Sequence, residues 1–203
     1  MKISVITTTL NSDQTIRDTL NSILSQTYKN IEHIIVDGGS SDNTASIIKR
    51  YPNNNKKFYT KKNSGIYEAI NYGITKATGD FITILNSDDF YQSQNTISSI
   101  VKKIKKNKKI LIFLGDVVYF KKLNYKDISR VYRVGNFKPW HMKFGLMPPH
   151  PGSFIKSEVY KKNKLYIENF KIASDYEFFL KILNIKKIKF KNLNEIIVRM
   201  RLG

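Results

Sequence analysis

The sequence contains no cysteine, which excludes disulfides and every thiolate metal site. No apolar run approaches the roughly 20 residues needed to span a bilayer. The apolar part of Met1–Thr7 is too short for a secretory leader and reads as a first strand. A cytoplasmic protein is the expectation. The two best-known phosphate loops, GxGxxG and GxxxxGK[ST], are both missing. Acidic residues are scarce, at 16 against 35 Lys and Arg. That scarcity is lopsided: residues 1–100 carry 9 acidic and 10 basic side chains, and residues 101–203 carry 7 and 25. A basic face attracts nucleic acid, an anionic lipid surface or a phosphorylated substrate.

What is present suits one folded domain over residues 1–203. Apolar residues make up 41% of the chain and aromatics 12%, enough for a proper core. The organising stretch is Phe81-Ile82-Thr83-Ile84-Leu85-Asn86-Ser87-Asp88-Asp89. Its first five residues fit a strand buried on both faces. Its two carboxylates fall where that strand ends, the place where open parallel sheets bind ligands. Carboxylates there suit a hard divalent cation shared with substrate phosphates. A polar turn or a helix cap is the plainer role for the same residues.

The first 90 residues alternate strand and helix. Strands are predicted at 2–8, 31–36, 57–61 and 81–85. Helices are predicted from Ile16, from Ser41 or Asp42, and from Ile66. Asn11, Ser12 or Asp13 would cap the first of these. The pattern implies a parallel sheet covered by helices, joined by right-handed crossovers. The polar segments 7–11, 37–42 and 86–89 would then open on one edge of the sheet. The second half is less regular. Strands are expected at 110–114 and 116–120, broken at Gly115, and at 130–134, antiparallel to its neighbour. A further strand at 152–155 should lead into a short helix, and another helix should run over 173–183. Trp140 and Tyr67 suit core packing or stacking on a sugar, packing being the commoner role.

Four segments stand in this order: Val36-Asp37-Gly38-Gly39-Ser40-Ser41-Asp42-Asn43-Thr44, Asn63-Ser64-Gly65-Ile66-Tyr67-Glu68-Ala69-Ile70-Asn71-Tyr72-Gly73-Ile74, Ala77-Thr78-Gly79-Asp80 and Leu85-Asn86-Ser87-Asp88-Asp89. With them the chain resembles the family 2 glycosyltransferases, and among those the bacterial enzymes of capsule, colanic-acid and lipopolysaccharide assembly. The resemblance implies an α/β GT-A fold, with a nucleotide-sugar half over 1–90 and an acceptor half over 91–203. It implies an inverting, metal-dependent transfer of a hexosyl-type sugar to a saccharide or a lipid-linked saccharide acceptor, serving surface polysaccharide synthesis. By position, Thr7, Thr8, Asn11, Gly65, Asn86 and Ser87 would line the donor pocket, and Asp37 would take the base. Asp88 would hold Mg2+ or Mn2+, with Asp89 and His150 as further candidate ligands. The family's Asp-x-Asp pattern begins here with Asn86, a weaker ligand than a carboxylate. Asp175, opening a late helix, matches the general base, which must take a proton from the acceptor hydroxyl. His150 would otherwise meet the diphosphate or the acceptor.

The basic half adds an anionic membrane surface as an expected partner, on the inner face of the plasma membrane. The rivals are a nucleotidyltransferase, an inactive relative and a basic nucleic-acid-binding protein. The segment 7–13 lacks the glycine and lysine of the first, and acidic loops at strand ends repel the phosphates sought by the last, so nucleic acid is not an expected partner.

Overall fold

The computed structural model describes residues 1–121, 124–163, 165–170 and 172–202. Four strands lie side by side and parallel: β1 (Ile3–Thr9), β2 (Ile31–Asp37), β3 (Lys56–Thr60) and β4 (Phe81–Ile84). Every residue of β1, β2 and β4 is buried, the polar ones among them, such as Ser4, Glu32 and His33, included. Helices α1 (Ile16–Leu24), α2 (Thr44–Arg50) and α3 (Ile66–Lys76) cover the sheet. Gly73 of α3 lies so close to β1 that a Cβ there would come within 2.6 Å of Ile6 Cγ2, so only glycine allows this helix to dock at its present depth.

Beyond β4 the sheet becomes mixed. Its order is β3-β2-β1-β4-β8-β6-β9-β5, where β5 is Phe90–Tyr91, β6 Ile112–Lys121, β8 Ser153–Lys156 and β9 Phe190–Arg201. β7 (Asn124–Tyr132) pairs antiparallel with β6, as expected for 130–134. Helix α4 (Thr96–Lys106) follows β5, α5 (Ser157–Lys162) follows β8, and α6 is Ser174–Leu183. Two sequence expectations change here. Gly115 does not end a strand. β6 runs through it with a shift of register against β9, and a Cβ at that point would sit 2.5 Å from Ile197 Cδ1. Trp140 is not a core residue, being 54% exposed.

At the end of the sheet away from the site, Glu32 is buried and ion-paired to Lys2 at 2.9 Å and Lys57 at 3.0 Å. Burial alone would raise its pKa. Hydrogen bonds from Ser4, Lys2, the Thr78 backbone and Lys57 outweigh that and bring it down to about 2. A carboxylate depressed in the folded state stabilises the fold above its unfolded pKa, near 4.3, and that stability is lost as pH falls toward 2. The contribution at neutral pH is on the order of 3 kcal/mol. Glu32→Gln should therefore lower the urea midpoint at pH 7 and flatten its decline between about pH 4 and pH 2. Parallel pH profiles for the two proteins would refute this.

Candidate active site

The reversal of strand order between β1 and β4 creates a crevice at their carboxyl ends, the usual ligand position in such sheets. A cleft of about 760 Å3 occupies it. Residues 8–15 at the end of β1 and beyond it, Gly38 and Asp42 after β2, 64–66 at the start of α3 and 86–88 after β4 line it. A second cavity of about 320 Å3 adjoins, sharing Ile66 and Asn86, and holds Tyr67, His150 and Asp175.

Thr8, Asn11, Gly65, Asn86, Ser87 and Asp88 all line the first cleft. Asn11 takes a positive φ of 49°, a conformation that asparagine tolerates better than most residues. Its Oδ1 accepts the Ser41 N–H at 2.9 Å, tying the β1 loop to the β2 loop. It does not cap α1, and neither do Ser12 and Asp13, because that helix has no side-chain cap. Ser87 Oγ meets Ser12 Oγ at 2.9 Å, joining the β4 loop to the same assembly. Leu10 and Ile66 are both more than half exposed and give the cleft apolar walls.

Three named residues stand behind the cleft. Thr7 is fully buried and bonded to His33 Nε2 at 2.9 Å. Asp37 is buried, and both its oxygens are taken by the turn that follows: Oδ2 by the N–H groups of Gly39 (3.1 Å) and Ser40 (3.0 Å), Oδ1 by Ser40 Oγ (2.5 Å). Gly38 and Asp42 face the cleft from that loop instead. Asp89 is 1% exposed; it accepts the Asn86 amide at 3.0 Å and the Arg201 backbone N–H at 3.1 Å. Burial and the neighbouring Asp88 push its pKa up to about 7. Its carboxyl serves the loop, holding Asn86 by the nitrogen and leaving the amide oxygen as the end able to meet a ligand.

Asp88 is half-buried at the cleft wall. Desolvation raises its pKa, opposed by its own backbone N–H and by Arg201. A desolvated carboxylate of this kind is best relieved by a cation. Among the described residues no three His, Asp or Glu side chains converge as a metal cage. Mg2+ and Mn2+ do not need one where one or two carboxylates act together with substrate phosphates, so Asp88 beside an open cleft fits such an ion.

Asp175 occupies the first turn of α6. Its Oδ1 accepts the Tyr67 hydroxyl at 3.2 Å and the Tyr176 N–H at 3.0 Å. The residue before this helix, Ala173, holds φ 69°, a left-handed conformation that costs an alanine roughly 1–2 kcal/mol. His150 Nε2 bonds the Tyr166 hydroxyl at 2.7 Å. Burial lowers its pKa to about 4, against the opposing pull of Asp175, so at neutral pH the ring is uncharged. It belongs to the second cavity with Asp175, whereas Asp88 lines the first.

Arg201 and Leu202 also line the first cleft; neither is among the residues expected there. Arg201 ends β9, its guanidinium pairs with Asp18 at 2.7 Å, and it lies over the Phe120 ring. Without a legible strand over 190–201, nothing in the sequence placed these two residues at the sheet edge.

The description "Glycosyl transferase family 2" matches residues 4–162, and the chain belongs to that family. An uncharacterized glycosyltransferase of Rickettsia typhi is 30% identical over 98% of this chain and 63% of its own length. One of Mycobacterium tuberculosis is 28% identical over 88% and 68%. The chain thus spans somewhat under two thirds of its Rickettsia relative. Among solved structures, residues 1–349 of Staphylococcus aureus TarS in complex with UDP-GlcNAc superpose with a TM-score of 0.81. That match has 23% identity and covers all of this chain and 59% of that one. The mannosyltransferase PcManGT of Pyrobaculum calidifontis, in complex with GDP-Man and Mn2+, gives 0.73 at 16% identity over 98% and 56%. The fold is the GT-A α/β fold of these structures.

Proposed function

We propose that this chain is an inverting glycosyltransferase domain. It would take a hexosyl-type sugar from a nucleotide-sugar in the first cleft and pass it to a saccharide hydroxyl in the second cavity, in bacterial surface polysaccharide synthesis. The observation that carries this is the adjacency of two differently equipped cavities, one with Asp88 and one with Asp175, sharing Ile66 and Asn86 as a common wall. Donors bound by TarS and PcManGT support a nucleoside-diphosphate sugar as the ligand class.

In this reading the base and ribose lie against Leu10, Gly38 and Asn11, and the diphosphate lies toward Asp88. A divalent cation held by Asp88, with the Asn86 oxygen at hand, would neutralise charge on the departing diphosphate. Asp175, oriented by Tyr67 and the Tyr176 N–H, takes the proton of the acceptor hydroxyl. That oxygen bonds to the anomeric carbon as the carbon–diphosphate bond breaks on the opposite face, which inverts the centre. Arg201 stands near Asp88 to balance charge at the cleft. His150, neutral and bound to Tyr166, shapes the acceptor cavity and is not a metal ligand.

Thermal-shift titration with UDP-, GDP-, dTDP- and CMP-sugars, each with Mn2+, is the test. One nucleotide class should raise the melting temperature, and EDTA should reverse most of that rise. If none of the four does so, the reading is wrong.

A further inference from the structure

Beside the acceptor cavity the surface turns apolar. A 3-10 turn, Pro139–Phe144, leads through Gly145 to Met147. Trp140 is 54% exposed, Phe144 73% and Leu146 52%. The Trp140 and Phe144 rings pack edge to face at 5.9 Å, so the two form one protruding unit. Ile172, 82% exposed, stands at the entrance to α6. That helix is bound to the turn by the Tyr176 hydroxyl, which donates to the Met142 carbonyl. Gly145 and Met147 line the cavity that holds Asp175. The apolar group therefore stands at that cavity's mouth. Large aromatic and aliphatic side chains this exposed in a cluster mark an interaction site.

We propose that this turn and the entrance to α6 form a foot that inserts into the interfacial layer of an anionic bilayer. Charge selects the occupant. The exposed lysines Lys138 and Lys143 flank Trp140 and Phe144, and residues 101–203 carry 25 basic against 7 acidic side chains. Tryptophan and phenylalanine beside lysine suit the headgroup boundary, where rings sink and ammonium groups stay with phosphate. No helix among the described residues is long and apolar enough to cross a membrane, so contact of this kind is interfacial. Resting on the reading of Asp175 as the acceptor base, the placement sets that cavity against the lipid surface. The acceptor class is then a saccharide carried on a membrane lipid.

Trp140 is the only tryptophan in the chain, so its fluorescence reports on this foot alone. Vesicles of phosphatidylglycerol and phosphatidylcholine at low salt should shift its emission to the blue, and brominated acyl chains should quench it. Pure phosphatidylcholine should do much less. Phe144→Ser should weaken partitioning roughly tenfold, and the pair Lys138→Glu with Lys143→Glu by at least as much. Circular dichroism verifies that each variant is folded. Emission that ignores anionic vesicles overturns the proposal. So does a blue shift that grows with protein concentration without lipid, which would mean that a second copy covers the patch. Donor-induced thermal shifts are read on the same samples. Vesicle binding without a donor response sinks the transferase reading and spares the foot, and the reverse result sinks only the foot.

Discussion

The Asp175→Asn protein will bind its donor as tightly as the parent chain and turn over roughly 10²–10⁴-fold more slowly, the range that a positioned general base contributes. The substitution is conservative in shape. An asparagine Oδ1 can still accept the Tyr67 hydroxyl and the Tyr176 N–H that Asp175 accepts now, so α6 and the cavity keep their form. What disappears is the capacity to take a proton. Calorimetric donor binding measured beside kcat separates the two effects. Near-normal turnover in this variant would remove Asp175 from the mechanism, whereas an equal loss of donor affinity would mean that the substitution disturbs the fold.

The Asp88→Ala protein should fail in a different way. It should lose donor affinity and turnover together, and its remaining binding should no longer depend on Mn2+. A cation that stabilises charge on the leaving group is worth several kcal/mol, so kcat/KM should fall by roughly 10³-fold or more. Half-burial strips Asp88 of part of its hydration and raises its pKa, and its removal also relieves that cost. The fold should therefore be no less stable without it. Titration of each protein with Mn2+ and donor, separately and together, checks this. A variant that keeps a metal-dependent donor response would assign the cation to another group.

The parallel half was legible because β1, β2 and β4 are buried on both faces, and strands of that kind are dominated by Ile, Val and other β-branched residues. The last strand was not. Phe190–Arg201 is only partly buried along its length, its pattern is broken by lysine and asparagine, and its partner β6 lies some 80 residues earlier. Gly115 misled in the same region because a glycine inside a strand marks either an end or a close approach, and only the Ile197 side chain distinguishes the two. At the site, residue types were readable and directions were not. Asp37, Asp88 and Asp89 are equally acidic on paper. Asp37 and Asp89 turn inward because nearby N–H groups need acceptors, and of the three Asp88 alone is left on the wall. Trp140 was misjudged because apolar character does not say whether a residue packs inside or waits for a partner.

One N–H and one guanidinium make the end of β9 a clasp. Through Arg201 they grip Asp89 and Asp18, on the loop after β4 and on α1, more than a hundred residues earlier in the chain. The aspartate on the cleft wall is the immediate neighbour of the gripped one. Movement at residue 201 therefore cannot leave residues 88 and 89 undisturbed, so the last residue of β9 and the wall of the cleft shift together.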